Sequence, residues 1–353
     1  MRVGLVGYQG SGKSTLFDTL TEGKVPAAVD LTSVRVATVT HHADERFNWL
    51  ADLYQPKKRS PVAFELHDYP GLAPRDSKEP GFKPGIIRDE VQALVLVVRG
   101  FTTMEYFYPR PAADPGADVR DLVADLLLSD LEMANRRVEK LEISAKRPTP
   151  KQEEEKRALA LMVRIRDGLM DEVPVKAMEF SRDEEKSIRG FGFLSQKHWF
   201  LLVSHGDDAA PDLDGVIGPI EDRLAAPVKL ERELLDLDDE EREMFMEEMG
   251  VGELVLPGLL DRLLHGLGML RFYTVGPTEV HVWELERGGN AVAAAGKIHS
   301  DLARGFIRAE VTAYSDLYYA GEMRKAKAMG HCRLEGRDYI VKDGDILDIR
   351  FSV

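Results

Sequence analysis

The residues with the most specific chemical meaning lie near the N-terminus, where residues 7–14 read GYQGSGKS. This spacing matches G-x-x-x-x-G-K-[ST], in which glycines let backbone N–H groups turn inward around phosphate oxygens. A helix that follows directly adds the favourable dipole of its N-terminus. We therefore expect Lys13 to contact the β- and γ-phosphates of a nucleotide and the Ser14 hydroxyl to ligate Mg²⁺. A chance glycine turn before a helix is the alternative.

A second candidate group follows a strand pattern further along the chain, at residues 68–71, DYPG. The D-x-x-G spacing is that of GTPases, although Asp, Pro and Gly also favour an ordinary turn after a strand. Combined with the first motif, it predicts Asp68 beside the metal, usually through a water, and the Gly71 N–H near the γ-phosphate. The two motifs together indicate a nucleotide triphosphate site.

Leu72 follows this motif at the position where several GTPases carry a glutamine that orients the attacking water. A leucine side chain cannot orient water, so the sequence leaves the catalytic residue unknown. We expect hydrolysis to depend on substrate phosphates, backbone groups or a partner, with slow turnover in their absence.

The elements that must position these residues follow the pattern of an open α/β sheet. Apolar runs at 2–6, 93–98 and 199–203 and an alternating stretch at 62–68 predict strands, and a helical pattern begins at Lys13. Strands that alternate with helices are typical of a sheet covered on both faces. Strand, glycine-rich turn and helix therefore occur in the order that the phosphate motif requires.

Between the third and fourth of these strands, residues 118–173 have helical periodicity, interrupted by Pro148 and Pro150. The apolar residues that repeat at steps of three and four are Leu127, Leu131, Ala134, Val138 and Leu141 in the first half and Ala158, Met162, Ile165 and Leu169 in the second. This pattern predicts an antiparallel helical hairpin inserted into the sheet domain. Two ordinary surface helices are the alternative.

The C-terminal third changes character. An acidic helix is predicted from Asp236 to Gly250, with its methionines as core filler. Beyond Phe272, short strands at 279–285 and 339–341 enclose a helical piece near 293–303, which predicts a separate small α+β domain. The expected domains are therefore residues 1–271, with the helical insertion at about 118–180, and residues 272–353.

Composition limits the classes of partner. The chain has 353 residues and a formal net charge of −14, which argues against wrapping on nucleic acid over most of its surface. From Phe272 onward, eleven Lys and Arg face twelve Asp and Glu, so RNA contact is easier for this part. The single cysteine, Cys332, suits a reducing compartment, and no apolar run is long enough to span a membrane. We expect a cytoplasmic protein without membrane contact.

Longer runs resemble one family, the YchF subfamily of Obg-related P-loop GTPases of the TRAFAC class. The N-terminal resemblance lies in residues 2–7 and 12–17 and in Asp68 with Gly71-Leu72, since YchF members also carry a leucine after D-x-x-G. At the C-terminus, the runs 279–283, 294–301, 305–311 and 335–345 resemble the family's TGS domain, a β-grasp module also found in translation proteins. Residues 238–242 with Phe245 and Met246 resemble the family's linker helix.

The resemblance implies a GTPase-type P-loop sheet domain, an inserted helical hairpin and a C-terminal TGS-like β-grasp domain. It also implies GTP or ATP as substrate, Mg²⁺ as cofactor and a ribosome or ribosomal subunit as partner. The residues that it leads us to expect at the nucleotide are Gly7, Gly10, Ser11, Gly12, Lys13, Ser14, Thr15, Gly71, Ser204 and Asp207, and those expected at the metal are Ser14, Asp68 and Thr32.

Three positions depart from the family pattern. Gly10 stands where the family usually has an asparagine that supports potassium-assisted catalysis in related GTPases. The base-reading segment N-x-x-E corresponds here to residues 204–207, SHGD, in which Ser204 cannot reproduce the asparagine amide. Thr32 lies where the family's switch region begins, but the residues after it diverge. The choice between GTP and ATP therefore stays open.

The leading hypothesis is a slow Mg²⁺-dependent nucleotide triphosphatase switch that works with ribosomes. The alternative is a non-catalytic nucleotide-binding adaptor that acts through its hairpin and TGS surface. A small-molecule kinase is a third option, which D-x-x-G and the TGS-like end oppose. The basic residues that could meet RNA phosphates, with an ordinary solvated charged face as the alternative, are Arg304, Arg308, Arg324, Lys325 and Lys327.

Overall fold

A computed structural model describes residues 1–27, 30, 33–41, 44–72, 84–87, 91–103, 110–206, 211–213, 220, 222–249 and 254–352. The chain forms two compact units. The first consists of Met1–Thr38 with Glu65–Leu256, and the second of Val39–Phe64 with Pro257–Val353. Among the described residues, no helix combines the length and the apolar character that a bilayer crossing requires.

The first unit is built on a six-stranded sheet with the order β2-β4-β1-β5-β6-β7. Its strands are β1 (Arg2–Val6), β2 (Arg35–Thr40), β4 (Ala63–Asp68), β5 (Ala93–Arg99), β6 (His198–Ser204) and β7 (Arg223–Ala226), where β2 and β4 continue across the unit boundary. Its helices are α1 (Lys13–Leu20), α3 (Pro115–Ser144), α4 (Gln152–Met170), α5 (Arg182–Arg189), α6 (Val228–Leu234) and α7 (Asp239–Glu248). The four strands predicted from apolar patterns, now β1, β4, β5 and β6, are confirmed.

Parallel pairing brings the ends of these strands to one edge of the sheet. Leu5 of β1 pairs with Asp68 of β4, and Val6 pairs with Leu96 of β5. The entire β5 strand is buried, as expected for a central strand covered on both faces. The loops that leave the carboxyl ends of these strands are therefore neighbours, which is where open α/β sheets bind ligands.

Helices α3 and α4 form the predicted antiparallel hairpin. Asp114 caps the start of α3 by accepting a hydrogen bond from the Ala117 N–H, and Pro115 occupies the first turn, where its missing N–H costs nothing. Helix α3 therefore starts three residues before the start that periodicity suggested. The buried residues of the two helices join the core of the sheet in one continuous cluster, so the hairpin is an extension of the first unit's core.

Two of the three methionines in and after α7 are exposed, contrary to the prediction of core filler, and Met246 is half-buried. Met244 is 71% exposed and Met249 is 46% exposed, and Phe245 is also at the surface. Asp238 begins the helix with a capping box, in which its carboxylate accepts from the Glu241 N–H while the Glu241 side chain accepts from the Asp238 N–H. The capping box and the acidic residues of the first turn stabilise the N-terminal end of this helix, so it can form without burying all of its apolar residues.

The second unit is an α+β structure with a six-stranded sheet in the order β11-β10-β12-β8-β9-β3. Its strands are β3 (Lys58–Ser60), β8 (Met269–Thr274), β9 (Glu279–Glu286), β10 (Phe306–Ala313), β11 (Cys332–Glu335) and β12 (Asp345–Phe351). Its helices are α2 (Glu45–Tyr54), α8 (Leu259–Gly266), α9 (Ala291–Ile298), α10 (Ser300–Arg304), α11 (Tyr314–Ala320) and α12 (Met323–Ala328). The helical piece predicted near residues 293–303 is present as α9 and α10.

The predicted strand at residues 339–341 is not a strand. Ile340 makes a single bridge with Asn290, while the Tyr339 hydroxyl and the Lys342 N–H both donate to Asp345 Oδ2, at 2.7 and 2.8 Å. These two hydrogen bonds bend the chain into a turn before β12. Within the run, Val341 is buried but Ile340 is 52% exposed, and the prediction of a strand was wrong.

Residues 39–64 belong to the second unit, whereas the sequence placed them with the N-terminal domain. Strand β3 pairs in parallel with β9, and the Asp44 carboxylate, which caps α2, also accepts from the Tyr273 hydroxyl at 2.9 Å and pairs with Arg271 at 3.1 Å. Buried polar groups need such partners, and here the partners lie more than 200 residues away in sequence. No local pattern could reveal them.

The second unit should lose stability in acid as Glu310 of β10 becomes protonated. Hydrogen bonds from Lys327 and Arg350 lower the pKa of Glu310 from its ordinary 4.5 to about 2. A carboxylate whose pKa is depressed by folding stabilises the fold above its unfolded pKa and loses that contribution as pH falls toward its folded pKa. We expect Glu310→Gln to lower the unfolding midpoint in urea at pH 7, with the difference from wild type shrinking between pH 4.5 and 2.

The matched control is Glu286→Gln at the exposed end of β9, which should follow wild type at every pH. Urea unfolding followed by tryptophan fluorescence across the pH series measures both variants. If the difference in urea midpoint between Glu310→Gln and wild type stayed constant from pH 7 to pH 2, the stabilising role of the Glu310 carboxylate would be contradicted.

Candidate functional site

The loop between β1 and α1 has a backbone that requires glycine at several positions. Gly10 and Gly12 have φ of 75° and 97°, in the left-handed region. A β-carbon at Gly7 would lie 2.2 Å from the Val97 carbonyl oxygen, and one at Gly12 would lie 2.9 Å from Ser204 Oγ. Ser11, whose N–H donates to the Tyr8 carbonyl at 3.2 Å, completes the turn. The loop is therefore fitted closely against β5 and β6.

Lys13 is held inside this loop. Its side chain is buried, and Nζ donates to the Tyr8 carbonyl at 3.0 Å. Burial lowers the pKa of Lys13 from 10.5 to about 8, and the negative charge of Asp68 opposes that shift. A buried ammonium group with few hydrogen-bond acceptors has a poorly compensated charge, which favours the binding of an anion. Phosphate oxygens would supply them.

Asp68 ends β4 beside the first turn of α1. The exposed Ser14 donates its hydroxyl to Asp68 Oδ2 at 3.3 Å. The other carboxylate oxygen, Oδ1, is buried and has no hydrogen-bond partner among the described residues. A hydroxyl and an unsatisfied carboxylate oxygen side by side are the hard oxygen donors that Mg²⁺ prefers. These two predicted ligands therefore fit the ion.

Arg35, which the sequence analysis did not single out, reaches the same carboxylate. Its Nε and Nη2 donate to Asp68 Oδ2 at 3.1 and 2.7 Å, and Nη1 donates to Asp18 Oδ1 at 2.7 Å. The signal in the sequence is slight: Arg35 is the one charged residue in the strand RVATVT. Its partners are distant in sequence, so the pairing was not visible there.

The D-x-x-G segment is attached to the phosphate loop through its backbone. The Leu72 N–H donates to the Gly7 carbonyl at 3.0 Å, and a β-carbon at Gly71 would lie 2.9 Å from the Gln9 nitrogen. The Leu72 side chain is buried within the core cluster of the first unit. The Gly71 backbone is thus close to the loop, while the side chain that replaces glutamine packs into the core.

Ser204 completes the group of predicted residues that the fold brings together. It ends β6 and is buried beside Gly12, and its carbonyl accepts from the Gly100 N–H at 2.7 Å. Thr15 follows Ser14 within the first turn of α1. Thr32 and Asp207, predicted at the metal and at the base, lie outside the described residues. The loop residues, Asp68, Gly71 and Ser204 thus surround one site at the carboxyl edge of the sheet.

A phosphate loop between a buried strand and a helix, with D-x-x-G at the end of the parallel neighbour β4, defines a P-loop nucleotide triphosphatase domain of the GTPase type. A family model described as 50S ribosome-binding GTPase matches residues 2–128. The C-terminal YchF GTPase model, described as a protein of unknown function, matches residues 269–352.

Whole proteins match along the entire chain. The Ribosome-binding ATPase YchF of Bacillus subtilis (strain 168) is 31% identical over 371 residues, with 100% of both chains covered. The protein of the same name from Escherichia coli O157:H7 is 33% identical, with 100% of this chain and 99% of that protein covered. The structure of the Schizosaccharomyces pombe YchF GTPase has a TM-score of 0.81 at 25% identity and covers 99% of this chain and 97% of its own. The chain belongs to the YchF family.

Proposed function

We propose that this protein is a Mg²⁺-dependent nucleoside triphosphatase that binds GTP or ATP, hydrolyses it slowly and acts on ribosomes. The observation that carries the proposal is the buried ammonium of Lys13 inside a glycine loop, with the Ser14 hydroxyl and Asp68 beside it. The relatives named Ribosome-binding ATPase support the ribosome as partner, and a ribosomal partner supports a cytoplasmic location.

In this proposal, the loop from Gly7 to Gly12 donates backbone N–H groups to the phosphates, and Lys13 contacts the β- and γ-phosphates. Ser14 and Asp68, with Thr32, hold Mg²⁺, which when bound would neutralise charge on the phosphate oxygens. The N–H of Gly71 would contact the γ-phosphate, and the hydrogen bond from the Leu72 N–H to the Gly7 carbonyl supports this role because it holds the segment beside the loop. Ser204 and Asp207 would contact the base, and Thr15 would extend the phosphate site along α1.

The C-terminal unit supplies a surface for RNA in this proposal, although its basic residues are not all available. Arg304, Lys325 and Lys327 pair with Asp301, Glu322 and Glu310 respectively. Arg308 and Arg324 are exposed. For the three paired cations, an ordinary solvated charged face is therefore the competing interpretation. Arg308 and Arg324 are the first residues to replace in a test of RNA binding.

Hydrolysis without a partner should be slow. Because the Leu72 side chain is buried in the core, the D-x-x-G segment offers the water no polar side chain at the glutamine position. Single-turnover phosphate release from GTP and ATP should run at rates on the order of 10⁻⁴ to 10⁻² per second, as for GTPases that lack an activating partner. Addition of ribosomes should raise that rate.

Three outcomes separate the candidate functions. Triphosphate binding with ribosome-stimulated phosphate release supports the proposal. Tight binding without release, with or without ribosomes, leaves the adaptor function, and transfer of phosphate to a small acceptor indicates a kinase. Release at many per second by the isolated protein would contradict the slow turnover expected from Leu72. Competition between GTP and ATP in the same assay assigns the base.

A further inference from the structure

We propose that Arg35 and Asp68 form a latch at the metal site of the nucleotide-free protein, in which the Arg35 guanidinium occupies Asp68 Oδ2 and its charge opposes the binding of Mg²⁺ at the unpartnered Oδ1. The inference rests on the proposed function, since it concerns the metal of that nucleotide site. It assigns a role to Arg35, a residue outside the phosphate loop and outside D-x-x-G. Arg35 would thereby set the Mg²⁺ concentration at which the site becomes occupied.

The Arg35 guanidinium contacts three side chains of the site, those of Asp68, Asp18 and Phe17. Two of its nitrogens share Asp68 Oδ2, the third binds Asp18, and its plane lies over the Phe17 ring, with the guanidinium carbon 4.4 Å from the ring centroid. The Arg35 and Asp68 side chains are only 8% and 6% exposed. Charge-assisted pairs with two nitrogens on one carboxylate and little solvent are among the stronger polar contacts in proteins. This pair is therefore ordered by the fold and is not a surface ion pair.

The same guanidinium also contacts the backbone of Ser14, the other predicted metal ligand, whose side chain is exposed. Its Nη2 lies 3.4 Å from the Ser14 carbonyl oxygen, and the Ser14 hydroxyl donates to the oxygen that Arg35 already holds. Asp68 Oδ2 is thus shared by Arg35 and the Ser14 hydroxyl, while Asp68 Oδ1 has no hydrogen-bond partner among the described residues. Displacement of Arg35 from Asp68 would leave the Ser14 hydroxyl next to an Asp68 carboxylate that no longer has a cationic partner.

Electrostatic repulsion sets the Arg35 guanidinium against a metal ion at Asp68. Lys13 and Arg35 together balance Asp18 and Asp68, so these four side chains of the nucleotide-free site are neutral as a group. A divalent cation bound to Asp68 would lie within a few ångström of the guanidinium, and like charges at such a distance in a buried site repel strongly. Mg²⁺ and Arg35 therefore compete for one carboxylate, whereas phosphates alone do not compete with Arg35.

The test is a Mg²⁺ titration of nucleotide binding by Arg35→Gln, with Arg136→Gln as matched control. Arg136 makes an exposed 3.8 Å pair with Glu132 on α3, so the same change there leaves the site intact. With a fluorescent ATP or GTP analogue, the Mg²⁺ concentration for half-saturation should fall about tenfold in Arg35→Gln, since a hydrogen bond to a charged group no longer opposes the ion. Binding in EDTA should stay near that of wild type.

A second readout uses thermal unfolding without nucleotide. Arg35→Gln should melt below wild type in EDTA, because Asp68 loses its cation, and Mg²⁺ alone should raise its Tm more than that of wild type or Arg136→Gln. Arg35→Lys keeps the charge but loses the forked guanidinium, so its Tm in EDTA should lie between those of wild type and Arg35→Gln.

The opposite results overturn the latch. If Arg35→Gln needs the same or more Mg²⁺, or binds nucleotide at least tenfold more weakly in EDTA, Arg35 is a structural or phosphate-binding residue. If wild type and Arg136→Gln bind no nucleotide at all, the proposed function fails, and the response of Tm to Mg²⁺ still decides the latch.

Discussion

Lys13→Ala should reduce the affinity for GTP and ATP at least a hundredfold. The change removes the ammonium that the loop holds buried at 3.0 Å from the Tyr8 carbonyl. Hydrogen bonds to charged groups contribute about 1.5–3 kcal/mol each when both partners are desolvated, and Lys13 is expected to reach two phosphates. Alanine supplies no replacement donor, so the triphosphate would rely on backbone N–H groups and the metal. Isothermal titration calorimetry with each nucleotide measures the loss.

Lys24→Ala is the control for this variant, because Lys24 lies in the same unit on the exposed surface and pairs with Glu22. It should bind both nucleotides as wild type does. Circular dichroism of Lys13→Ala should show an intact fold, since α1 and β1 do not depend on the lysine head group. Unchanged affinity of Lys13→Ala for both triphosphates would remove the basis of the proposed function.

Asp130→Ala should cause the largest loss of stability among single changes in the helical hairpin. Asp130 of α3 is fully buried, and its carboxylate accepts hydrogen bonds from the Leu194 N–H at 3.0 Å, the Ser195 N–H at 2.8 Å and the Ser195 hydroxyl at 2.7 Å. Ser195 Oγ in turn accepts from the Val175 N–H at 3.1 Å. This carboxylate therefore connects the hairpin to the segment that leads into β6.

The alanine variant leaves three donors buried without an acceptor, and each unsatisfied buried group costs about 1–3 kcal/mol. We expect the free energy of unfolding to fall by about 3–5 kcal/mol, measured by urea unfolding. Glu132→Ala is the matched control, since Glu132 lies two residues away on the exposed face of α3. Its effect should stay within about 0.5 kcal/mol. Equal unfolding midpoints for the two variants would contradict the structural role of Asp130.

The nucleotide site was predicted from sequence because its geometry is largely local. Residues 7–14 combine glycines at positive φ with a lysine and a serine at the start of a helix, and that conformation depends on the neighbouring residues in the chain. Apolar runs revealed β5 and β6, since strands buried on both faces need apolar side chains throughout. Asp68 was recognisable because a strand pattern precedes it.

The pairing of Arg35 with Asp68 and Asp18 was beyond sequence reasoning. A single arginine in a short alternating strand is compatible with exposure at a sheet edge, and its three acceptors come from two other elements. The exposed methionines of α7 escaped prediction for a related reason. Periodicity indicates which side of a helix is apolar, but only the packing of other elements decides whether anything covers that side.

By itself, the sequence determined the phosphate loop, the D-x-x-G motif, the strands of the first sheet, the helical hairpin and the resemblance to YchF. The two motifs and the resemblance depend on residue types at fixed spacing, and the strands and helices depend on the apolar pattern within each element. Only the tertiary structure decided that residues 39–64 join the second unit and that Arg35 holds Asp68. Both follow from buried charges whose partners are distant in the chain, and such partners are chosen by the whole fold because a buried charge must be compensated wherever the fold places it.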